Sequence, residues 1–364
     1  MTLTRRPHHL LTLLLCLFAT APLPAQVNLT FPTSNDRLYY GDSAGFFHGT
    51  TNRTEPWRLG TYGWVRNPST VEGVKVHTRM HEGVDIKALY RDRRGMSLDT
   101  VRAAADGIVV HAMKRASGSN YGKYVVLEHE WDGSRYYTLY SHLNDVWIDS
   151  GATLKQGENI GQMGYTGTVQ NPRKAHLHFE INLLLNTGFQ QWYDSVLSPG
   201  SPNFNGIYSG INLSGIDPAA FLLAIRSEPE LSIPGFIRRI NPTFRVRLPR
   251  RGDLDIVTRY PWLLERRARA SDSAWEIDFS ISSLPLRVVP VPTSCAEPQL
   301  VWISDTTVPP AYISKRVLGG RIGHAEISRQ GMSFLLQLAM NDRLGPEGWR
   351  GASGRGGAES DDEE

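Results

Sequence analysis

Ala175-His176-Leu177-His178-Phe179-Glu180-Ile181 alternates polar and apolar residues without a break. Successive side chains of an extended strand point to opposite faces, so His176, His178 and Glu180 share one side and Leu177, Phe179 and Ile181 the other. The apolar face packs, and the histidine face is left for chemistry. Residues 136–143 repeat the pattern, and the same alternation groups Tyr140 with His142 and sets Leu139 and Leu143 opposite. Two adjacent strands then offer three imidazoles to one cavity. A third cluster, His81-Glu82-Gly83-Val84-Asp85, puts His81 and Asp85 on one side of an extended segment, with Gly83 between them leaving room for close approach.

An H-x-H pair alone is a weak signal, because a lone histidine is more often a surface or satisfied core residue than a ligand. His111, His129 and His324 are read in that ordinary way. Three clusters in one stretch, aimed by strand geometry, point instead to a metal. Histidine nitrogen with aspartate oxygen suits zinc best, and three protein ligands with one open position make a catalytic rather than a closed structural site. A structural site would normally use more cysteine than Cys16 and Cys295, the two present.

Outward from these clusters, residues 60–226 are short alternating runs separated by glycine turns, the pattern of an antiparallel sheet or barrel. Asp217-Pro218 ahead of Ala219 reads as a helix cap and first turn that closes this domain. Residues 59–226 are therefore expected to form a mainly β domain. Residues 227–340, punctuated by Pro229, Pro234, Pro242, Pro249 and Pro261, are expected to form a smaller C-terminal β-rich domain of unassigned role. Residues 26–58 are a polar lead segment, and 341–364, with a Gly-rich run and the acidic end Asp361-Asp362-Glu363-Glu364, form a tail too polar to order itself.

At the other end, Arg5 and Arg6, an apolar run over 10–21 and Pro22-Leu23-Pro24-Ala25 have the order of a secretory signal peptide, with cleavage expected after Ala25. The apolar run is too short to span a bilayer, which needs roughly 20 residues, and no later stretch approaches that length. An exported chain is expected, keeping Cys295 as its one thiol and so lacking an internal disulfide. Among 364 residues, Lys+Arg 39 against Asp+Glu 36 leave a net charge of +3, which disfavours nucleic acid as a partner. Gly 34 and Pro 22 fit a turn-rich β protein rather than a helical bundle. The near-neutral total hides ten arginines against three acids over 238–269, read as a strand face because Arg245 and Arg247 alternate with Phe244, Val246 and Leu248.

The clusters and the text between them resemble the lysostaphin-type (LytM-like) zinc metalloendopeptidases, hydrolases of peptidoglycan cross-links. H-x-G-x-D is present as His81, Gly83 and Asp85, followed by Ile86 and Ala88. Ala105-Asp106-Gly107, Tyr121-Gly122-Lys123-Tyr124, Tyr140-Ser141-His142-Leu143, Gly164-Tyr165-Thr166-Gly167 and the H-x-H strand also fit. The resemblance covers roughly 60–226 and implies that His81, Asp85 and His178 hold one zinc ion, with His142 and His176 as catalytic histidines. It implies cleavage of peptidoglycan peptide in the periplasm or cell envelope. The alternative is a catalytically silent wall-binding or hydrolase-activating protein of the same fold, but such members typically lack ligands, and here all five positions are filled. A latent enzyme, its zinc covered by residues 26–58, is a further possibility. Two departures from the family pattern stand out. Thr168 to Ala175 carries Asn171, Pro172, Arg173 and Lys174 where a short Gly-rich turn is usual, and an insertion contains Gln190-Gln191-Trp192-Tyr193.

Overall fold

The structure, a computed structural model, describes residues 27–49 and 55–340. The expected signal peptide and the tail at 341–364 lie outside the described residues. A hairpin opens the central region: β1 (Gly63–Val71) pairs antiparallel with β2 (Val74–His81). Next come β3 (Val84–Lys87), β4 (Gly107–Met113), β5 (Lys123–Trp131), β6 (Ser134–Leu143), β7 (His176–Leu184) and β8 (Leu213–Ile216). They form an antiparallel sheet in the order β8-β7-β6-β5-β4, with the short strand Thr153–Leu154 beyond β4. The outer edge of β7 is shared end to end, β3 pairing with its first half and β8 with its second. These strands form an open sheet, so the barrel expected as one form of this domain is not what they build.

Local chemistry explains the order. Asp132-Gly133 joins β5 to β6 with φ of 51° and 69°, the left-handed pair that a two-residue hairpin turn requires. The two faces of the sheet are unlike. Leu177, Phe179, Ile181, Tyr136 and Tyr140 face the main core, while Tyr124, Val126, Tyr137, Leu139, Leu184 and Leu213 form a smaller cluster on the other side, the side of the histidines. Helix α1 (Pro218–Ser227) follows, capped by Asp217, whose carboxylate accepts the Ala219 and Ala220 amides at 3.0 Å.

The C-terminal strands β9 (Phe244–Pro249), β10 (Ala274–Phe279), β11 (Pro285–Val291) and β12 (Gln299–Ile303) form a second antiparallel sheet in the order β11-β10-β9-β12. Helix α2 (Arg329–Ala339) closes the described chain. The arginines of β9 are not a bare basic face: Arg245 stands opposite Asp278 and Arg247 opposite Glu276 in register, each pair joined by salt bridges. One continuous apolar core runs from Val27 through both sheets to Met340.

The lead segment contributes Leu29, Phe31, Leu38, Phe46 and Phe47 to that core, and Phe47 forms a bridge with Ile86 of β3. The insertion after β7 also turns inward. Trp192 is buried, and its indole N–H donates to the Ser333 carbonyl of α2 at 3.0 Å. It anchors the C-terminal helix.

Candidate metal centre

Asp85 and His178 are direct partners across the β3–β7 ladder, so their side chains project from the same face. His81 ends β2 and reaches the same point because the chain turns through Gly83. A Cβ there would lie 2.4 Å from the Phe179 carbonyl oxygen and 2.7 Å from Glu180 Cγ. Only glycine lets the His81–Asp85 loop sit this close to β7. His81 Nε2, Asp85 Oδ1 and His178 Nδ1 stand 2.9–3.0 Å from one another, all buried. Tetrahedral zinc with bonds of about 2.0–2.1 Å separates its ligands by about 3.3 Å, so these atoms need move only slightly outward.

The hydrogen bonds behind these atoms set their tautomers. His81 Nδ1 donates to the Thr61 carbonyl at 2.8 Å, which leaves the Nε2 lone pair facing inward. His178 is held the other way round, its Nε2–H donating to Glu180 at 2.7 Å and its Nδ1 facing Asp85. Glu180 also accepts from Tyr121 Oη and from Asn182 Nδ2, both at 2.8 Å. A carboxylate behind a ligand histidine raises its basicity and fixes the ring. Two nitrogens, each on a ring held by a hydrogen bond from its far nitrogen, and one carboxylate oxygen fit zinc.

His142 and His176 complete the cluster. Their rings are 5.1 Å apart, and His142 lies 5.9 Å from the His178 ring. Each donates Nδ1–H to a backbone carbonyl, His142 to Thr166 at 2.9 Å and His176 to Lys174 at 2.8 Å, so each offers a free Nε2. His176 Nε2 is 3.5 Å from Asp85 Oδ2. The unusual Asn171–Lys174 stretch is what supplies the Lys174 carbonyl, as one 3-10 turn capped by Asn171.

The position of His142 corrects the simple alternation. Register pairs Tyr140 with Phe179 and Ser141 with His178, so Tyr140 faces the main core and Leu139 lies on the histidine side. Plain alternation would send His142 after Tyr140, away from His178. Instead His142 has φ of 61°, beside a bulge in the β5–β6 ladder, and two consecutive side chains, Ser141 and His142, reach the same face.

Burial governs the electrostatics. It depresses His142 and His176, and it lowers His81 to about 4 although Asp85 pulls the other way. For His178 burial is outweighed by the hydrogen bonds to Asp85 and Glu180, which raise it to about 9. Burial alone would raise Asp85, but His81, His176 and Arg66 hold it well below the usual carboxylate range. The free Nε2 atoms therefore belong to neutral rings at neutral pH.

Two residues at this site carry no sequence signal. His48, from the lead segment, stacks on His176 with ring centres 4.6 Å apart, and its backbone N–H donates to the Asp85 carbonyl at 2.8 Å. Arg66, from β1, bonds the Asp85 carboxylate and lies 3.0 Å from His81 Nε2. His129 belongs to the opposite face, locked between the Asp106 carbonyl and Thr138 Oγ1 at 2.7 Å each.

Residues 79–189, which contain all five candidate residues, match the family described as Peptidase family M23. The chain carries a peptidase family M23 domain. Over 118 residues it is 36% identical to a Haemophilus influenzae protein named "Uncharacterized metalloprotease", covering 32% of this chain and 22% of that protein. Over 116 residues it is 32% identical to the Vibrio cholerae peptidoglycan DD-endopeptidase ShyC, covering 32% of this chain and 23% of that protein. It is 28% identical over 158 residues to the Escherichia coli murein hydrolase activator NlpD, covering 43% of this chain and 36% of that protein. The chain thus spans only 22% to 36% of the length of these relatives. Among the described residues, no helix is long and apolar enough to cross a membrane.

Proposed function

We propose that this chain is a zinc-dependent endopeptidase, exported to the cell envelope, that hydrolyses peptide cross-links of peptidoglycan. One zinc ion is held by His81, Asp85 and His178. Residues 59–226 carry the chemistry, and 227–340 support it as a second β-rich unit. The observation behind this reading is the convergence of three ligand atoms within 3.0 Å of one another beside two neutral imidazoles with free Nε2 atoms.

Bound there, zinc supplies Lewis acidity that polarises a carbonyl and makes water acidic enough to ionise near neutral pH. His142 and His176 move the proton. A neutral imidazole whose Nδ1–H is committed to a carbonyl can only accept at Nε2, so either ring takes the proton of the attacking water. The resulting imidazolium then gives that proton to the leaving amine, or first stabilises the oxyanion by donating to it. Arg66 and Asp85 keep a fixed charge pair at the edge of this reaction space.

The similarity to NlpD favours a second reading, a hydrolase activator built on the same domain. Purified protein separates the two by metal analysis and digestion of cross-linked muropeptides. Wild type is expected to carry zinc and cleave. His178→Ala is expected to lose both, and His142→Ala to keep zinc while losing at least 100-fold in kcat, in line with removal of a general acid–base group. Zinc-loaded wild type that leaves muropeptides intact yet stimulates a separate peptidoglycan hydrolase would establish the activator reading.

A further inference from the structure

The β1–β2 hairpin brings Arg66 to the metal centre and sets a second arginine, Arg79, directly across the ladder from it. Its register places Arg66 opposite Arg79, so both side chains project from the same face, and a bulge between Trp64 and Arg66 adjusts the aim of that end. Arg66 Nε donates to the Leu59 carbonyl at 3.2 Å, which steadies the side chain, while Nη2 sits against Asp85 and His81. Arg79 has no carboxylate within ion-pair distance among the described residues, and it is exposed. Partial desolvation against the hairpin, followed by the neighbouring Arg66 charge, lowers its pKa, and Asp85 opposes this only in part.

Like charges directly across a ladder destabilise a hairpin unless an anion joins them. The anion within reach is Asp85, and its one negative charge is already shared among Arg66, His81, His176 and His178. The pair therefore keeps an unmet demand for negative charge next to the reacting centre. A guanidinium is a planar fork matched to a carboxylate, more selective than an ammonium for that group.

We propose that Arg79, together with Arg66, forms an anion subsite that binds a free carboxylate on the substrate residue flanking the scissile bond. The preferred substrate is an acidic peptide cross-link, and a bridge of uncharged glycines is disfavoured. This rests on the endopeptidase reading and narrows it to a substrate class.

The test uses zinc-loaded full-length chain with two substrates, a cross-linked muropeptide with its free carboxylates and the same muropeptide amidated at the carboxylate flanking the cross-link. Wild type is expected to favour the acid by about 10- to 100-fold in kcat/KM, the range for loss of a hydrogen bond to a charged group. Arg79→Met is expected to bring that ratio close to one with unchanged zinc content and melting temperature. Lys75→Gln, an exposed change on the same hairpin, is expected to keep the wild-type ratio. Titration calorimetry with the acid and amide forms of the cleaved product supplies a readout independent of turnover, with the acid bound at least tenfold more tightly. Equal cleavage of both substrates by wild type overturns the subsite, as does an acid preference that survives Arg79→Met. Failure to cleave either substrate overturns the endopeptidase reading instead, and the calorimetric comparison then still decides the anion subsite.

Discussion

Glu180 shows how much of this site rests on a residue that binds nothing itself. It accepts three hydrogen bonds, from His178 Nε2, Tyr121 Oη and Asn182 Nδ2. Only a carboxylate can accept all three, because an amide would aim a donor at one of its donors. Glu180→Gln is therefore expected to weaken zinc binding by 10- to 100-fold, the usual effect of losing a ligand's orienting partner, while the fold is retained. Chelator competition measures the affinity and circular dichroism the fold. Unchanged affinity would show that the His178 ring is positioned by packing alone. The residue identities at this scale were legible in the sequence, since H-x-H on a strand and H-x-G-x-D in a turn announce themselves. His48 and Arg66 were not, because nothing in their immediate neighbours records that the chain returns them to the same point.

Among the elements, the lead segment is the one whose role the structure changes. It is polar by composition, yet Phe46 is fully buried against Phe31 and Phe47, with ring centres 5.0 and 4.9 Å away. Asn35, also buried, donates to the Gly45 and Lys87 carbonyls at 3.0 and 2.9 Å, tying the segment to β3, the strand that carries Asp85. A segment packed in this way supports the metal centre from behind. Phe46→Ala is expected to cost about 3–5 kcal/mol, the range for emptying a buried phenylalanine site, as measured by denaturant unfolding. Removal of residues 1–49 is expected to abolish zinc retention. Activation on such removal would restore the idea that the lead is a detachable cover. The β7 strand was readable from its alternation alone. The β6 strand was readable too, but the side to which His142 points was not, because a left-handed residue there breaks a period that is otherwise strictly two.

At the level of the molecule, the M23 domain and the C-terminal region share one core and several buried polar ties. Tyr260 Oη accepts the Leu184 amide at 2.9 Å, at the end of β7, and donates to the Arg135 carbonyl at 2.8 Å, at the start of β6. Asn212 joins α2 to the sheet by accepting from Gln337 Nε2 at 2.7 Å and donating to the Asn186 carbonyl at 2.7 Å. We expect calorimetry of the full chain to show one cooperative transition rather than two, and Tyr260→Phe to lower stability by about 1–3 kcal/mol through the unmet buried amide and carbonyl. Two separated transitions would mark residues 227–340 as an independently folding unit.

The sequence by itself determined the mainly β class and the five residues of the candidate site. The class and four of those residues, His81, Asp85, His176 and His178, are written in short-range patterns: a period of two, a turn glycine, and a histidine pair spaced to share a face. Tertiary structure alone decided that His142 joins His176 and His178, because one left-handed residue and a ladder bulge rotate it across the sheet. It also decided that His48 and Arg66 reach the centre, that Arg79 stands across the hairpin from Arg66, and that the C-terminal region is welded to the metal-bearing sheet. These depend on contacts between residues far apart in the chain, as with Tyr260 and Leu184, and local periodicity carries no information about such contacts.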